Sequence, residues 1–140
     1  MSYSARNRVE TLYQKVDVIT KFENASPYRI IQMLMEGALE KIAMAKGFMQ
    51  RKEIAKCGAH ISWAISIIDG LRMSLDLSQG VIAENLDNLY DYMNRCLLKA
   101  NIDQDPDKLD EVSKLLLEIK AGWDAIPPEQ QVHPTQTQTK

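Results

Sequence analysis

The sequence predicts an all-α protein built as an antiparallel four-helix bundle, and three observations lead to this prediction. The chain has 140 residues, which is enough for one domain of ordinary size. Apolar residues recur at steps of three or four in four segments of roughly 20 residues each, and no segment alternates as a strand would. No proline occurs between Tyr28 and Asp105, so no proline ring interrupts a helix in that range. Short connections between helices of this length favour antiparallel neighbours.

Composition divides the chain into three regions. Residues 1–25 carry a patchy apolar stripe and are expected to be a mobile segment that orders only when it lies on another surface. Residues 26–126 contain the four helical patterns and are expected to form the bundle. Residues 127–140 begin with two prolines and continue as a polar, low-complexity sequence, which predicts a disordered tail.

The first helix is predicted to begin at Ser26-Pro27, because serine is a good N-cap and proline is tolerated at the first helical position. Its apolar face consists of Ile31, Leu34, Ala38, Ile42, Ala45 and Met49. The second helix carries a heptad pattern made by Ile54, Cys57, Ile61, Ala64, Ile68, Leu71 and Leu75. The sequence Ser78-Gln79-Gly80 is predicted to form the turn that follows, because glycine adopts open backbone conformations.

The third helix is marked by Ile82, Leu86, Leu89, Met93, Cys96 or Leu97, and Ala100. The sequence Asp105-Pro106-Asp107 repeats the cap-plus-proline pattern and places carboxylates at the positive end of the next helix dipole. The fourth helix is marked by Leu109, Val112, Leu116, Ile119, Trp123 and Ile126, and Pro127-Pro128 ends it.

The charge balance argues against two classes of partner. The chain carries 17 basic and 19 acidic side chains, with a net charge of -2 and no long run of either sign, so nucleic-acid binding is not expected. No apolar stretch is long enough to span a membrane or to serve as a signal peptide. We therefore expect a protein of the cytosol that does not insert into membranes.

No metal or cofactor site is expected. Cys57 and Cys96 are interpreted as reduced, apolar thiols, as is usual in the cytosol. Cys57 and His60 share one helical face, but a closed zinc site needs four ligands and the sequence offers no second pair of this kind. The Glu-x-x-His pairs of di-iron bundles and the Cys-x-x-Cys-His motif of covalent haem are both absent from the sequence.

No catalytic residue is predicted either, although one enzymatic alternative stays open. His60 is the only histidine on a predicted helix and would be the nucleophile of a phosphotransfer bundle. The residues that follow it lack the lysine and glycine that would bind a phosphoryl group. A second alternative is a helical adaptor that uses its apolar surface for homodimerisation.

The informative feature is an excess of apolar residues outside the main stripes. One stripe per helix is enough to fill the core of a four-helix bundle, so part of this excess predicts a wide core, an oligomer interface or a groove for another chain. The residues concerned are Ile30, Met33, Met35, Leu39, Trp63, Ile65, Ile67, Tyr90, Tyr92, Leu98, Leu115 and Leu117.

Several segments match one known family in the same order along the chain. They are Ser26-Pro27 with Ile31-Gln32-Met33-Leu34-Met35-Glu36-Gly37-Ala38-Leu39, then Asn85-Leu86-Asp87-Asn88-Leu89-Tyr90-Asp91-Tyr92-Met93, then Leu98-Lys99-Ala100-Asn101, and finally Trp123. Over residues 9–126 the sequence resembles the flagellar secretion chaperones of the FliS type. Several motifs in register are a specific signal, whereas any one of them alone would be weak.

The resemblance implies a cytosolic chaperone that needs no cofactor. It implies that the bundle binds the C-terminal segment of flagellin, prevents premature polymerisation and delivers that segment to the export gate of the flagellar secretion apparatus. A flagellar assembly factor or regulator is left open as a further partner, as is a homodimer.

Motif matches and helix geometry together select the predicted client-binding residues: Leu34, Ala38, Leu86, Leu89, Tyr90, Met93 and Leu97. The resemblance also implies that the N-terminal segment lies over the client groove and influences docking at the gate. Tyr13, with Val16 and Ile19, is assigned to that role.

Overall fold

The computed structural model describes residues 24–131, of which Ile31–Gln131 form one compact unit. Within residues 24–131 there is no strand, and the long elements are four α-helices: α1 (Pro27–Gln50), α2 (Ile54–Met73), α3 (Val81–Asp103) and α4 (Pro106–Asp124). Two short 3₁₀ helices, Leu77–Gln79 and Pro128–Gln130, follow α2 and α4. The predicted all-α fold is confirmed, whereas the division at residues 25 and 126 stays a prediction.

The predicted helix starts and the predicted turn are confirmed by local geometry. The hydroxyl of Ser26 accepts a hydrogen bond from the backbone N–H of Arg29 at 3.1 Å, as an N-cap does. The carboxylate of Asp105 caps α4 in the same way, accepting from the N–H of Asp107 at 3.0 Å. Gly80 has a φ of 92°, a conformation that side chains with a Cβ rarely adopt, so glycine is needed at this point between α2 and α3.

Helices α1 and α2 are antiparallel neighbours. The ring of Phe48, near the end of α1, lies 4.9 Å from the ring of His60, near the start of α2. The ammonium group of Lys41, two turns earlier on α1, lies 3.8 Å from the ring centroid of Trp63, further along α2. Because the contacts move forward on one helix as they move back on the other, the two helices run in opposite directions.

Helices α2 and α3 are also antiparallel, and polar side chains connect them in addition to the core. The guanidinium of Arg72 donates to the carboxylate of Asp87, with the Nε–Oδ1 distance 3.0 Å. One turn earlier on α2, Asp69 accepts a hydrogen bond of 2.8 Å from the side-chain amide of Asn94. The two helices, joined by the connection that ends at Gly80, therefore form an antiparallel hairpin.

Helix α4 lies between α3 and α1. On one side, the hydroxyl of Tyr92 donates to the carboxylate of Glu111, and the thiol of Cys96 lies 3.7 Å from the carbonyl oxygen of Lys108.

On the other side of α4, the Lys46 ammonium pairs with Asp110 at 2.9 Å. Near the opposite end, the Gln32 amide donates to Asp124 at 2.8 Å. Each helix thus has two antiparallel neighbours, which gives the cyclic order α1, α2, α3, α4.

The core lies along the axis between the helices. Its buried side chains are Met35, Ala38, Ile42, Ala45, Met49, Cys57, Ile61, Ala64, Ile68, Leu71, Tyr90, Met93, Cys96, Leu97, Ala100, Leu109, Val112 and Leu116. Most of the residues predicted for the stripes of α1 and α2, and half of those predicted for α4, are here. Met35 and Tyr90, which the sequence analysis placed in the apolar excess, also belong to the core.

In α3 the buried stripe is shifted to the next residue at two of the predicted positions. Ile82 is 77% exposed, whereas its neighbour Ala83 is 7% exposed, and Tyr90 is buried in place of Leu89. Apolar residues stand at both positions of each pair, so spacing alone allows either stripe. Packing against the neighbouring helices buries Ala83 and Tyr90 and leaves the larger Ile82 exposed.

Candidate protein-binding surface

The seven predicted client-binding residues fall into three groups by exposure. Four lie in the core: Ala38, Tyr90, Met93 and Leu97. Leu34 and Leu86 are half-buried and pack against the core, and Leu89 is 36% exposed. The folded bundle therefore presents Leu34, Leu86 and Leu89 to a partner, while the other four support the helices that carry them. Their contact with a client stays a prediction.

The predicted N-terminal residues cannot be placed on this surface. Tyr13, Val16 and Ile19 lie outside the described residues. Their assignment to the groove or to gate docking stays a prediction.

The flank of α3 that faces α4 presents a row of apolar side chains. Ile82, Leu89 and Tyr92 are 77%, 36% and 41% exposed and stand at positions that share one side of the helix. The contact of Tyr92 with Glu111 shows that this side faces α4. We call the surface formed by Ile82, Leu86, Leu89, Tyr92 and the half-buried Leu115 of α4 the α3–α4 face.

The connection between α2 and α3 extends this apolar surface. Met73, Leu77 and Val81 are 85%, 55% and 68% exposed, and Val81 directly precedes Ile82. Several large apolar side chains exposed together are unusual on a monomer and typically mark an interaction site.

Hydrogen bonds hold this connection in place. The carboxylate of Asp76 accepts from the hydroxyl of Ser78 at 2.5 Å, from its backbone N–H at 3.1 Å and from the amide of Gln79 at 3.2 Å. The hydrogen bond from the Ser78 hydroxyl, with those from Gln79 and the Ser78 backbone, lowers the pKa of Asp76. The charged carboxylate thus fixes the turn that displays the apolar side chains.

One polar pair marks the edge of the α3–α4 face. The phenol of Tyr92 donates to Glu111, and this hydrogen bond, reinforced by the negative charge of Glu111, raises the pKa of Tyr92. This hydrogen bond keeps the Tyr92 ring against α4. The aromatic ring then remains available as part of the apolar surface.

The environments of the two thiols, Cys57 and Cys96, disfavour the reactive thiolate form. Burial raises the pKa of Cys57, and burial together with the charge of Glu111 raises the pKa of Cys96. Both thiols are free, buried and protonated at neutral pH, which is the inert form. Among residues 24–131, no three His, Cys, Asp or Glu side chains converge as metal ligands.

His60 lies in an aromatic environment. Its Nδ1 is 2.8 Å from the carbonyl oxygen of Lys56, and because a carbonyl only accepts, Nδ1 carries the proton. The ring packs between Phe48 and Trp63, with centroid distances of 4.9 and 6.3 Å. This arrangement fixes the ring in the groove between α1 and α2.

Sequence reasoning missed part of the exposed surface. Leu77 and Val81 were not singled out, and Ile82 was placed on the core stripe. The signal that points to them is local: large apolar residues flank Gly80 in a turn, where polar residues are usual. Among residues 24–131, none of the helices has the length and hydropathy needed to cross a membrane.

Comparison with known proteins gives consistent matches over most of the chain. A family model described as flagellar protein FliS matches residues 9–130. The flagellar secretion chaperone FliSB of Pseudomonas aeruginosa is 50% identical over 115 residues, covering 81% of this chain and 91% of that protein. The flagellar secretion chaperone FliS of Vibrio cholerae is 44% identical over 118 residues, covering 84% and 87%. That of Salmonella typhimurium is 41% identical over 118 residues, covering 83% and 87%.

Proposed function

Because this chain belongs to the FliS family of flagellar secretion chaperones, we propose that it binds the C-terminal segment of flagellin in the cytosol, with the α3–α4 face as the principal contact surface. The proposal includes two consequences of binding. The client is held from premature polymerisation, and it is delivered to the export gate of the flagellar secretion apparatus. The family consists of chaperones and not of enzymes, so the phosphotransfer interpretation of His60 is set aside.

The observation that carries the proposal is the number of large apolar side chains exposed between Met73 and Tyr92. Ile82 and Tyr92 are ten residues apart on α3, which corresponds to about 15 Å along the helix axis. A partner helix of about three turns matches that length. An amphipathic helix that lays its apolar face on such a surface buries both apolar surfaces at once.

Binding in this form does not require the bundle to open. Leu86 and Leu89 reach the client from the surface, while Tyr90, Met93 and Leu97 hold α3 against the core. Ala38 supports α1 in the same way, and Leu34, on α1, is reached only by a client segment that continues beyond the α3–α4 face.

The N-terminal segment enters the proposal as a competitor and as a docking element. Its apolar residues Tyr13, Val16 and Ile19 have the three- and four-residue spacing of an amphipathic helix. In the proposal the segment covers the apolar face when no client is bound and contributes to recognition at the export gate. Removing residues 1–23 would therefore tighten client binding in solution.

Calorimetry with a peptide of the flagellin C-terminal segment tests the proposal. We expect a stoichiometric complex at micromolar concentrations and a gain of helical signal in circular dichroism when the two are mixed. The absence of binding at these concentrations would contradict the proposal. Formation of a dimer by this chain alone, measured by mass in dilute solution, would assign the apolar face to self-association instead.

A matched pair of variants locates the contact. Ile82 and Ile102 are both isoleucines of α3, 77% and 76% exposed, but they lie at opposite ends of the helix. We expect Ile82→Ser to weaken peptide binding about tenfold, as loss of a buried apolar anchor does, and Ile102→Ser to leave binding unchanged. Equal effects of the two substitutions would contradict the location.

A further inference from the structure

Positive charge is concentrated in one part of an otherwise acidic chain. Residues 41–68 contain five lysine or arginine side chains and a single acidic one, Glu53, although the whole chain has a net charge of -2. The rest of the chain therefore has a clear acidic excess. This segment comprises the second half of α1 and most of α2, so the positive charge lies along one pair of neighbouring helices.

The same two helices form a groove lined by aromatic side chains. Met44 and Phe48 on α1, and His60 and Trp63 on α2, follow helical steps of three or four, so each pair lies on one side of its helix. Trp63 is 54% exposed and Met44 is 39% exposed. We call the surface formed by Lys41, Met44, Phe48, His60 and Trp63 the basic aromatic face.

Cations lie over the aromatic rings of this face. The ammonium of Lys41 is 3.8 Å from the centroid of the Trp63 ring. The guanidinium of Arg51 and the ammonium of Lys56 are 5.1 and 5.7 Å from the centroid of Phe48. These distances are within the range of cation–π attraction, which holds the rings and the cations together as one surface.

Acidic side chains neutralise only part of this charge. Arg51 and Lys56 share one carboxylate, that of Glu53, at distances of 3.0 and 3.3 Å. Lys41 is 3.8 Å from Glu40, whose side chain is 67% exposed. Two cations on one carboxylate leave a net positive charge beside the ring of Phe48.

The basic aromatic face is separate from the α3–α4 face. In the cyclic order of the bundle, α2 and α4 each lie between α1 and α3, so the outer surface of the α1–α2 pair is opposite that of the α3–α4 pair. A partner on one surface leaves the other accessible.

We propose that the basic aromatic face docks an acidic amphipathic segment of a second protein, at the same time as a client occupies the α3–α4 face. Carboxylates of the partner meet the cations, and its apolar side chains cover Trp63 and Met44. Tryptophan and arginine are the residue types that most often dominate protein interfaces. This proposal holds whether or not the client is flagellin.

A nucleic acid or an anionic membrane fits the surface less well. The cations stand around exposed apolar side chains and share a carboxylate, whereas phosphate binding needs several uncompensated cations. The acidic remainder of the chain also repels an extended polyanion. A short acidic segment with apolar side chains complements both the cations and the exposed apolar side chains of the face.

Fluorescence of Trp63 tests the proposal with a defined probe. In the full chain carrying Trp123→Phe, Trp63 is the only tryptophan. The probe is a blocked helical peptide of about 18 residues, or five turns, with leucines on one side and glutamates on the other. We expect it to shift the emission of Trp63 and to bind about tenfold more weakly at high salt than at low salt.

Two control peptides and two other ligands define the required chemistry. The same peptide with lysine in place of glutamate, and the same peptide with serine in place of leucine, should both fail to bind. Vesicles of phosphatidylglycerol and phosphatidylcholine, and a short DNA duplex, should bind more weakly than the acidic peptide. Preference for the lysine peptide, the vesicles or the DNA would overturn the proposal.

Two variants locate the site on the α1–α2 pair. Trp63→Ala, followed by calorimetry because the fluorophore is lost, should weaken the acidic peptide about tenfold, and Lys56→Glu should weaken it by a similar factor. Leu117→Ala, at a side chain 55% exposed on α4, is the matched control and should have no effect. Circular dichroism melts show whether each variant is folded, and unchanged binding by folded Trp63→Ala and Lys56→Glu would overturn the proposal.

Competition with the flagellin peptide separates this proposal from the proposed function. We expect the acidic peptide and the flagellin peptide to bind together, each with its own affinity unchanged. Displacement of one by the other would place both on one surface and would overturn the separate site. Loss of flagellin binding alone, with acidic peptide binding retained, would affect only the proposed function.

Discussion

The buried and the exposed apolar residues of helix α3, which we call its inner and outer sides, show how one amphipathic helix serves both folding and binding. On the inner side, Tyr90, Met93 and Leu97 are almost fully buried among the other helices. On the outer side, Ile82 and Leu89 are apolar as well, yet they are exposed to solvent. Hydrophobicity alone therefore does not separate core from binding surface in this chain. Coverage by the neighbouring helices does: Ile82 and Met93 lie three turns apart on nearly the same side of α3, yet only Met93 is covered.

The inner side should carry the largest effect on stability. Leu97 is fully buried, so Leu97→Ala removes packed methyl groups and leaves a cavity in the core. We expect the free energy of unfolding to fall by about 2–5 kcal/mol, measured by urea denaturation. Leu98→Ala, at the next residue but 53% exposed, is the control and should change stability by about 0.5 kcal/mol or less. Equal losses would contradict the assignment of the two sides.

The stability of the protein at alkaline pH should depend on the burial of Tyr90 on the inner side. Burial raises the pKa of Tyr90 from 10.0 to about 12, so the folded state disfavours the phenolate. The corresponding stability is fully present below pH 10 and is lost as the pH rises towards 12. We expect the wild-type protein to lose about 2 kcal/mol more than Tyr90→Phe over this range. Urea unfolding at a series of pH values measures the difference, and parallel pH profiles would count against burial as the cause.

The outer side should affect binding and leave stability nearly unchanged. Leu89→Ser places a polar group on the proposed client surface, and we expect flagellin peptide affinity to fall about tenfold, or 1.4 kcal/mol. Leu98→Ser alters the flank of α3 that faces α2 and serves as the matched control. Calorimetry measures both. If Leu98→Ser weakened binding as much as Leu89→Ser, the client would extend to the α2 side of the helix.

The smallest effect on stability should come from the N-terminal cap of α4, which belongs to neither side of α3. Asp105→Ala removes the acceptor for the N–H of Asp107, and we expect a loss of about 1 kcal/mol in stability with no change in client affinity. Asp103→Ala breaks only an exposed ion pair with Lys99 at 3.4 Å and should cost about 0.5 kcal/mol or less. Thermal melts compare the two variants. A change in client affinity in either would extend the client surface to this end of the bundle.

Local chemistry made some features predictable from sequence. The caps at Ser26 and Asp105 and the turn at Gly80 depend on groups within three residues, so residue identity was enough to predict them. The order and approximate length of the helices also followed from the three- and four-residue spacing of apolar residues.

Features that depend on packing between helices were less predictable. Spacing did not distinguish Ile82 from Ala83, because adjacent apolar residues fit either stripe and only the neighbouring helices select one. For the same reason, Met35 and Tyr90 appeared to be surplus although they are core. The exposure of Leu77 depends on how the connection is held by Asp76, which helical periodicity does not describe.

A client that binds the outer side of α3 leaves the inner side packed, and methyl NMR can observe both sides in one titration. Labelled leucine and methionine methyl groups report the two sides separately as the flagellin peptide is added. We expect large shifts at Leu86, Leu89 and Leu115, with small ones at Met93 and Leu97. Large shifts at Met93 and Leu97 with none at Leu89 would show that the bundle opens to bind, and would rule out binding on the outer side.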